Sequence, residues 1–265
     1  MTEETSAEMP PVDRTYRSAL ITGASSGIGA AFARLLPRHT HLVLAGRNAA
    51  RLEQVSAELS FPGRRVDVVV ADLATAEGRG VVTAAAERAA VDLFICNAGL
   101  ATAGDFSATS HGAERETIAV NVVATVELLH TLMPSMLARA TAENRRAAII
   151  IVSSTAAFGS RPGLATYAAS KAFQLHLAEA LSVELEQQPI DILALCPTRT
   201  ETEFFARAGL PPAGPGAISP ETVAREGLQA LGRTPVHICK PPPTGLKKLL
   251  RAVSIPFLRA RVTGS

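Results

Sequence analysis

The chain has 265 residues, of which 47% are hydrophobic and 19% charged, with a formal net charge of +2. That length can bury a large core without disulfides or metals, and that composition excludes a disordered chain. The near-balanced charge gives no ground for nucleic-acid binding, and the three scattered cysteines, Cys96, Cys196 and Cys239, show neither a disulfide framework nor metal-ligand spacing.

Residues 1–16 are expected to form a solvated tail. The opening "MTEETSAEMPPVDR" is acidic and lacks an apolar core, so no signal peptide is expected and the expected compartment is the cytosol. No uninterrupted apolar stretch reads as long enough to span a membrane. From residue 17 short apolar runs alternate with helix-length segments. "SALIT" (18–22) precedes a Gly-rich turn and a helix from Gly27, and "HLVLAG" (41–46) precedes a helix near 48–59. "RVDVVVADL" (65–73) precedes another near 75–89, and "VDLFICNAG" (91–99) leads to a long helix over roughly 111–139. "RRAAIIIVSS" (145–154) leads through a loop to a helix around 164–187, and "IDILALCP" (190–197) and "VHICK" (236–240) are the last strands. Apolar strands alternating with helices predict βαβ units and a parallel sheet of seven strands.

The first strand runs into "TGASSGIG", a turn with Gly23, Gly27 and Gly29 that opens a helix. Glycine permits the tight turn and lets a pyrophosphate approach main-chain N–H groups at the helix N-terminus. No Lys-Ser/Thr follows the last glycine, so this is not the phosphate loop of nucleotide hydrolases. Further on, Ser154 ends an apolar strand, Tyr167 follows thirteen residues later, and Lys171 stands one helical turn beyond it in "YAASK". Side chains at i and i+4 share a helix face, and strand ends of open parallel sheets are where ligands bind. Ionising a phenol of pKa near 10 at pH 7 costs about 4 kcal/mol. An ammonium about 4 Å away returns a comparable amount at an effective dielectric near 20. A serine at a strand end is more often a turn residue, but the set together favours chemistry. Ser153 is one residue off this spacing and is assigned to structure, and no Gly-x-Ser-x-Gly elbow supports acyl hydrolysis. His111 and His176 each stand alone in a helical pattern and are read as surface or helix-packing residues.

"TGASSGIG", "NAG" (97–99), Ser154 and "YAASK" together resemble the short-chain dehydrogenase/reductase family, over about residues 17–240. The resemblance implies a single doubly wound Rossmann-type α/β domain, a nicotinamide cofactor, and hydride transfer between that cofactor and a carbonyl or alcohol. It gives Tyr167 the acid/base role, Ser154 the carbonyl oxygen, and Lys171 both the phenol and the nicotinamide ribose. It also implies that Asn121, in "IAVNVVAT", holds a water linking Lys171 to solvent. Its implied cofactor contacts are Gly23, Ser25, Gly27, Ile28, Gly29, Asp72, Leu73, Asn97, Ala98, Gly99, Pro197 and Thr202, besides Tyr167 and Lys171. Cys96 stands where the family often has Asn, and Thr198 where it usually has Gly. Residues 200–218 fall where the family keeps its substrate lid, and Phe204, Phe205 and Leu210 suggest an apolar substrate.

In NAD-binding versions of this fold an acidic residue ends the second strand. Here "LVLAGRN" has Gly46 there and Arg47 next, which favours a 2′-phosphate and hence NADP(H). The alternatives are an NAD-linked alcohol dehydrogenase and a non-catalytic NADP-sensing scaffold on the same fold. The family's habit of pairing its long helices implies a homodimer or homotetramer. In the basic tail 241–265, Leu246, Leu249, Leu250 and Val253 share one helical face, with Lys247, Lys248 and Arg251 largely opposite. That pattern suits an anionic membrane surface, but packing on the protein is the favoured expectation for so short a helix.

Overall fold

The computed structural model describes residues 15–211 and 214–240, and both the N-terminal stretch before Thr15 and the basic tail 241–265 lie outside the described residues. Seven strands form one sheet: β1 (Ser18–Thr22), β2 (His41–Gly46), β3 (Val66–Val70), β4 (Leu93–Cys96), β5 (Ala147–Val152), β6 (Ile190–Pro197) and β7 (Val236–Cys239). Their order is β3-β2-β1-β4-β5-β6-β7, and every neighbouring pair is parallel. The chain winds outward from β1 to β3, crosses back, and winds the other way from β4. The crevice between the C-terminal ends of β1 and β4 is therefore the ligand-binding switch point of a doubly wound sheet.

The strands are continuous apolar runs because helices cover both faces. β1, β4, β5 and β6 are buried along their whole length. One core cluster joins Ile21, Leu44 and Ile150 to α1 (Gly27–Leu35), α2 (Ala49–Leu59) and α8 (Pro220–Ala230), with Phe32 fully buried at its centre. The other joins Leu20, Val43 and Ile149 to α3 (Ala76–Arg88), α5 (Ala124–Ala142) and α6 (Ala165–Glu184). Each fully buried Leu or Ile contributes about 1.5–3 kcal/mol, so the sheet is rigid enough to place side chains at its strand ends.

Four details depart from the sequence reading. The fold takes in Tyr16, which packs in the first core cluster and whose carbonyl accepts the Thr40 hydroxyl at 2.9 Å. The long helix is broken into α4 (His111–Ile118), a π-helical turn (Ala119–Val123) and α5, with the Ala124 N–H bonded five residues back to the Ala119 carbonyl. Helix α8 has no counterpart in that reading, and a four-residue helix, α7 (Phe204–Arg207), lies within the expected lid. Finally, the helical run His111–Ala142 is long and apolar enough to cross a membrane, with a mean hydropathy of 1.4 over an 18-residue window. Leu128, Leu129, Leu132 and Met136 from that run are buried against the sheet, so its apolarity serves the core.

Candidate active site

The turn between β1 and α1 is built for close approach. Gly23 and Gly27 have φ of +66° and +55°, in the left-handed region that favours glycine. A Cβ on Gly29 would lie 2.4 Å from the Gly23 carbonyl oxygen and 2.6 Å from Asn97 Nδ2. Ser26, at the N-cap of α1, makes no side-chain capping bond, so the first N–H groups of the helix remain available to an anion. Asn97 clamps the turn: its Nδ2 donates to the carbonyls of Thr22 (2.9 Å) and Gly23 (3.3 Å). Thr22, which the sequence reading passed over, completes the clamp by accepting the N–H groups of Asn97 and Ala98 at 3.0 and 3.1 Å. Gly29→Ala is expected to lower the melting temperature by roughly 2–10 °C, since overpacking costs about 1–3 kcal/mol. An unchanged circular-dichroism melting curve would contradict this.

Two adjoining cavities open along this turn and share Gly23, Ser25, Ala98, Gly99 and Arg207. The larger, about 570 Å³, runs past Ile28 to Ser154, Tyr167, Lys171, Pro197 and Thr202. The smaller, about 490 Å³, ends at Gly46, Arg47, Arg51, Asp72 and Leu73. All the sequence-predicted site residues except Gly29 and Asn121 therefore line one groove, and Gly29 packs behind it against the Gly23 carbonyl and Asn97. This groove fits a dinucleotide: uncapped helix N–H groups lie at its middle, a Cβ at Gly27 would strike Thr202 Cγ2 at 2.9 Å, and guanidinium groups lie at one end. Arg47 is half-exposed and bonds Glu116 Oε1 at 2.6 Å. Arg51, in the first turn of α2 and absent from the sequence reading, bonds Glu203, just before α7. Thr198 causes no backbone strain, since among the described non-glycine residues only Ala90 and Asn144 have positive φ.

At the other end, Ser154 and Tyr167 meet. Ser154 caps the short turn Thr155–Phe158, its Oγ accepting the Ala156 N–H at 3.1 Å. The Phe204 ring of α7 packs on the Tyr167 ring, centroids 5.4 Å apart. Burial pushes the Tyr167 phenol up, against a smaller downward pull from the Ser154 hydroxyl bonded to it. The phenol is thus held protonated, with burial outweighing the lowering expected from Lys171. Lys171 Nζ instead donates to the Val152 carbonyl and to Gln174 Oε1, both at 2.9 Å, and lies 5.8 Å from the phenol ring centroid. Burial lowers Lys171 to about 8. Ser153 anchors the same helix turn, its Oγ donating to the Lys171 carbonyl at 2.7 Å.

Asn121 sits in the π-helical turn, fully buried. Its Oδ1 accepts the Leu100 N–H at 2.8 Å, and its Nδ2 donates to the Leu100 carbonyl (2.8 Å) and Ser170 Oγ (2.9 Å). Both lone pairs of its main-chain carbonyl are also taken, by Thr125 Oγ1 (2.8 Å) and Gln174 Nε2 (2.9 Å). The contact that the resemblance assigned to a water is made here by Gln174, because a side-chain amide already fills the space between Asn121 and Lys171. Cys96 is buried beside Thr125 Oγ1 at 3.6 Å and packs as a small apolar residue. Outside the groove, Glu226, His237 and Cys239 bring ligand atoms within 4.8 Å of one another. His237 Nε2 and Glu226 Oε2 are hydrogen-bonded at 2.8 Å, and burial pushes the Cys239 thiol far up, so the cluster is a hydrogen-bonded pair against a neutral thiol.

Residues 17–210 match the short chain dehydrogenase family. The chain belongs to that family. This short-chain dehydrogenase is 34% identical over 192 residues to the mitochondrial dehydrogenase/reductase SDR family member 2 of Homo sapiens, a match covering 71% of this chain and 66% of the human protein. A Sphingobium yanoikuyae short-chain dehydrogenase solved with NADPH superposes with a TM-score of 0.74 at 30% identity, over 85% of this chain and 87% of that one. The bulky-bulky ketone specific alcohol dehydrogenase of Comamonas testosteroni superposes with a TM-score of 0.72 at 27% identity, over 86% and 87%. Family membership makes this short-chain dehydrogenase an oxidoreductase, with a seven-stranded parallel sheet in a single Rossmann-like domain.

Proposed function

We propose that this chain is an NADP(H)-dependent carbonyl reductase acting on a small, largely apolar ketone or aldehyde. The observation that carries the reading is the meeting of Ser154 and Tyr167 at the floor of a cavity continuous with the glycine turn. Gly23, Ser25, Gly27 and the α1 N–H groups would hold the diphosphate, and Arg47 and Arg51 the 2′-phosphate. A nicotinamide bound there supplies the hydride to the carbonyl carbon. Ser154 donates a hydrogen bond to the carbonyl oxygen, and Tyr167 passes it a proton, giving the alcohol. A phenol that burial keeps protonated is in the right form for this direction. Lys171 holds a positive charge behind the phenol, which lowers the cost of the tyrosinate left once the proton has gone.

Leu164, Phe204 and Leu210 line the outer part of the cavity, with Arg161 and Arg199 beside them, which suits an apolar body around the carbonyl. The ketone specificity of the Comamonas relative and the NADPH bound to the Sphingobium relative point the same way. We also assign Ile118 and Val126, exposed on the long helix, and Phe173 and Val183, exposed on α6, to a subunit interface. A panel of aryl and alkyl ketones and aldehydes with NADPH and NADH, followed at the absorbance of the reduced cofactor, tests the activity. Consumption of NADPH with an apolar ketone is the expected result. Binding without consumption would favour a sensor, and faster turnover of alcohols with NAD would favour the NAD-linked dehydrogenase.

A further inference from the structure

Gln174 stands on α6 three residues beyond Lys171 and is fully buried. Its amide makes three hydrogen bonds: Oε1 accepts Lys171 Nζ at 2.9 Å, and Nε2 donates to the Asn121 carbonyl (2.9 Å) and to Thr125 Oγ1 (3.0 Å). The amide's orientation follows from its neighbours. An ammonium has only donors and a carbonyl only lone pairs, so the amide oxygen faces Lys171 and the amide nitrogen faces Asn121. The π-helical turn that carries Asn121 sets its carbonyl against this side chain.

We propose that Gln174 is the positioning residue for Lys171, and that the link from Lys171 to Asn121 in this protein is a side-chain amide. The proposal rests on reading Tyr167 and Lys171 as the working pair. An amide orients a cation but relays no proton, so Asn121 acts here as a strut, and Lys171 as a fixed charge behind the phenol. Val152 and Gln174 supply the two acceptors that hold this charge. The titratable groups that face it are Cys96 from β4 and Cys196 from β6, with the Tyr167 ring on its own helix. Burial keeps both thiols protonated, Cys196 at about 11. Neutral dipoles therefore support the ammonium against its burial, and removing one of them lowers its proton affinity.

The chain has four lysines, Lys171, Lys240, Lys247 and Lys248, so Lys171 can be followed directly by NMR of ¹³Cε-labelled lysine, assigned by its loss in Lys171→Met. In the wild type its midpoint is expected at about 8. Gln174→Met keeps the volume and removes the acceptor, and is expected to lower the midpoint by about one pH unit. Gln174→Glu keeps an oxygen against the ammonium and is expected to leave the midpoint at or above the wild-type value. In carbonyl reduction the alkaline fall of kcat should move with these midpoints, with kcat at least tenfold lower in Gln174→Met and KM for the carbonyl little changed. A wild-type midpoint unchanged in Gln174→Met, or lowered as much by Glu as by Met, would overturn the proposal. Absence of turnover in the wild type with every carbonyl would count against the proposed reaction, while the lysine titration would still decide the role of Gln174.

Discussion

Tyr167→Phe is expected to lower kcat for carbonyl reduction by a thousandfold or more while cofactor affinity stays within a few-fold of wild type. The substitution removes one oxygen and keeps the ring. The contact with Phe204 at 5.4 Å therefore survives. What is lost is the proton donor. A positioned general acid is worth about 10² to 10⁴ in rate, and the partner left behind, Ser154, has a hydroxyl far too weakly acidic to replace a phenol. The proposed diphosphate and 2′-phosphate sites, at the glycine turn and the arginine end of the groove, do not use the phenol. Activity is measured with the best carbonyl from the panel, and binding by fluorescence titration of the reduced cofactor. If more than a tenth of wild-type turnover remains in Tyr167→Phe, Tyr167 is not the acid.

The parts of this protein that were legible in its sequence are those set by local pattern. Seven apolar runs bounded by turn residues identified the seven strands, because strands buried on both faces carry continuous Ile, Leu and Val. The glycines, Ser154, Tyr167 and Lys171 stood out because their spacing is their chemistry. The residues that were missed act through the fold. Thr22 looks like any strand-end threonine, and only the register of β1 against β4 shows it gripping Asn97 and Ala98. Gln174 sits among ordinary helical residues, and its neighbours Asn121 and Thr125 are far away in sequence. The π-helical turn at Ala119–Val123 contains neither Pro nor Gly to announce it, and it packs on α6. By contrast, α8 did carry a signal: Ser219 caps the Thr222 N–H, Pro220 opens the first turn and Glu221 follows. Arg51 was also within reach, in the first turn of the predicted helix that follows Arg47, and both line the same end of the groove.

Gly46→Asp is expected to reverse the cofactor preference, from NADPH in the wild type to NADH in the variant. Gly46 is the last residue of β2 and lies at the arginine end of the groove. A Cβ there would meet Leu52 and Ser25 at 3.7 Å, an ordinary van der Waals distance, so the substitution fits without distorting the strand. In the wild type, a charged hydrogen bond from Arg47 to the 2′-phosphate is worth about 1.5–3 kcal/mol, giving NADPH a preference of about 10- to 150-fold. Arg47 must first leave Glu116, but that pair is half-exposed on both sides. Such pairs contribute about 0–1 kcal/mol, so the phosphate wins. An aspartate at residue 46 places a carboxylate against the phosphate, and like charges about 5 Å apart repel by about 3 kcal/mol at an effective dielectric near 20. The same carboxylate can accept the ribose hydroxyls of NADH, so the ratio of the two affinities should swing by a hundredfold or more. Arg47→Ala separates the two effects, since it should weaken NADPH by about tenfold or more and leave NADH nearly unchanged. Direct titration of both cofactors against wild type and both variants measures the swing. Equal affinities in the wild type, or NADPH still bound more tightly by Gly46→Asp, would show that Gly46 and Arg47 do not set the choice.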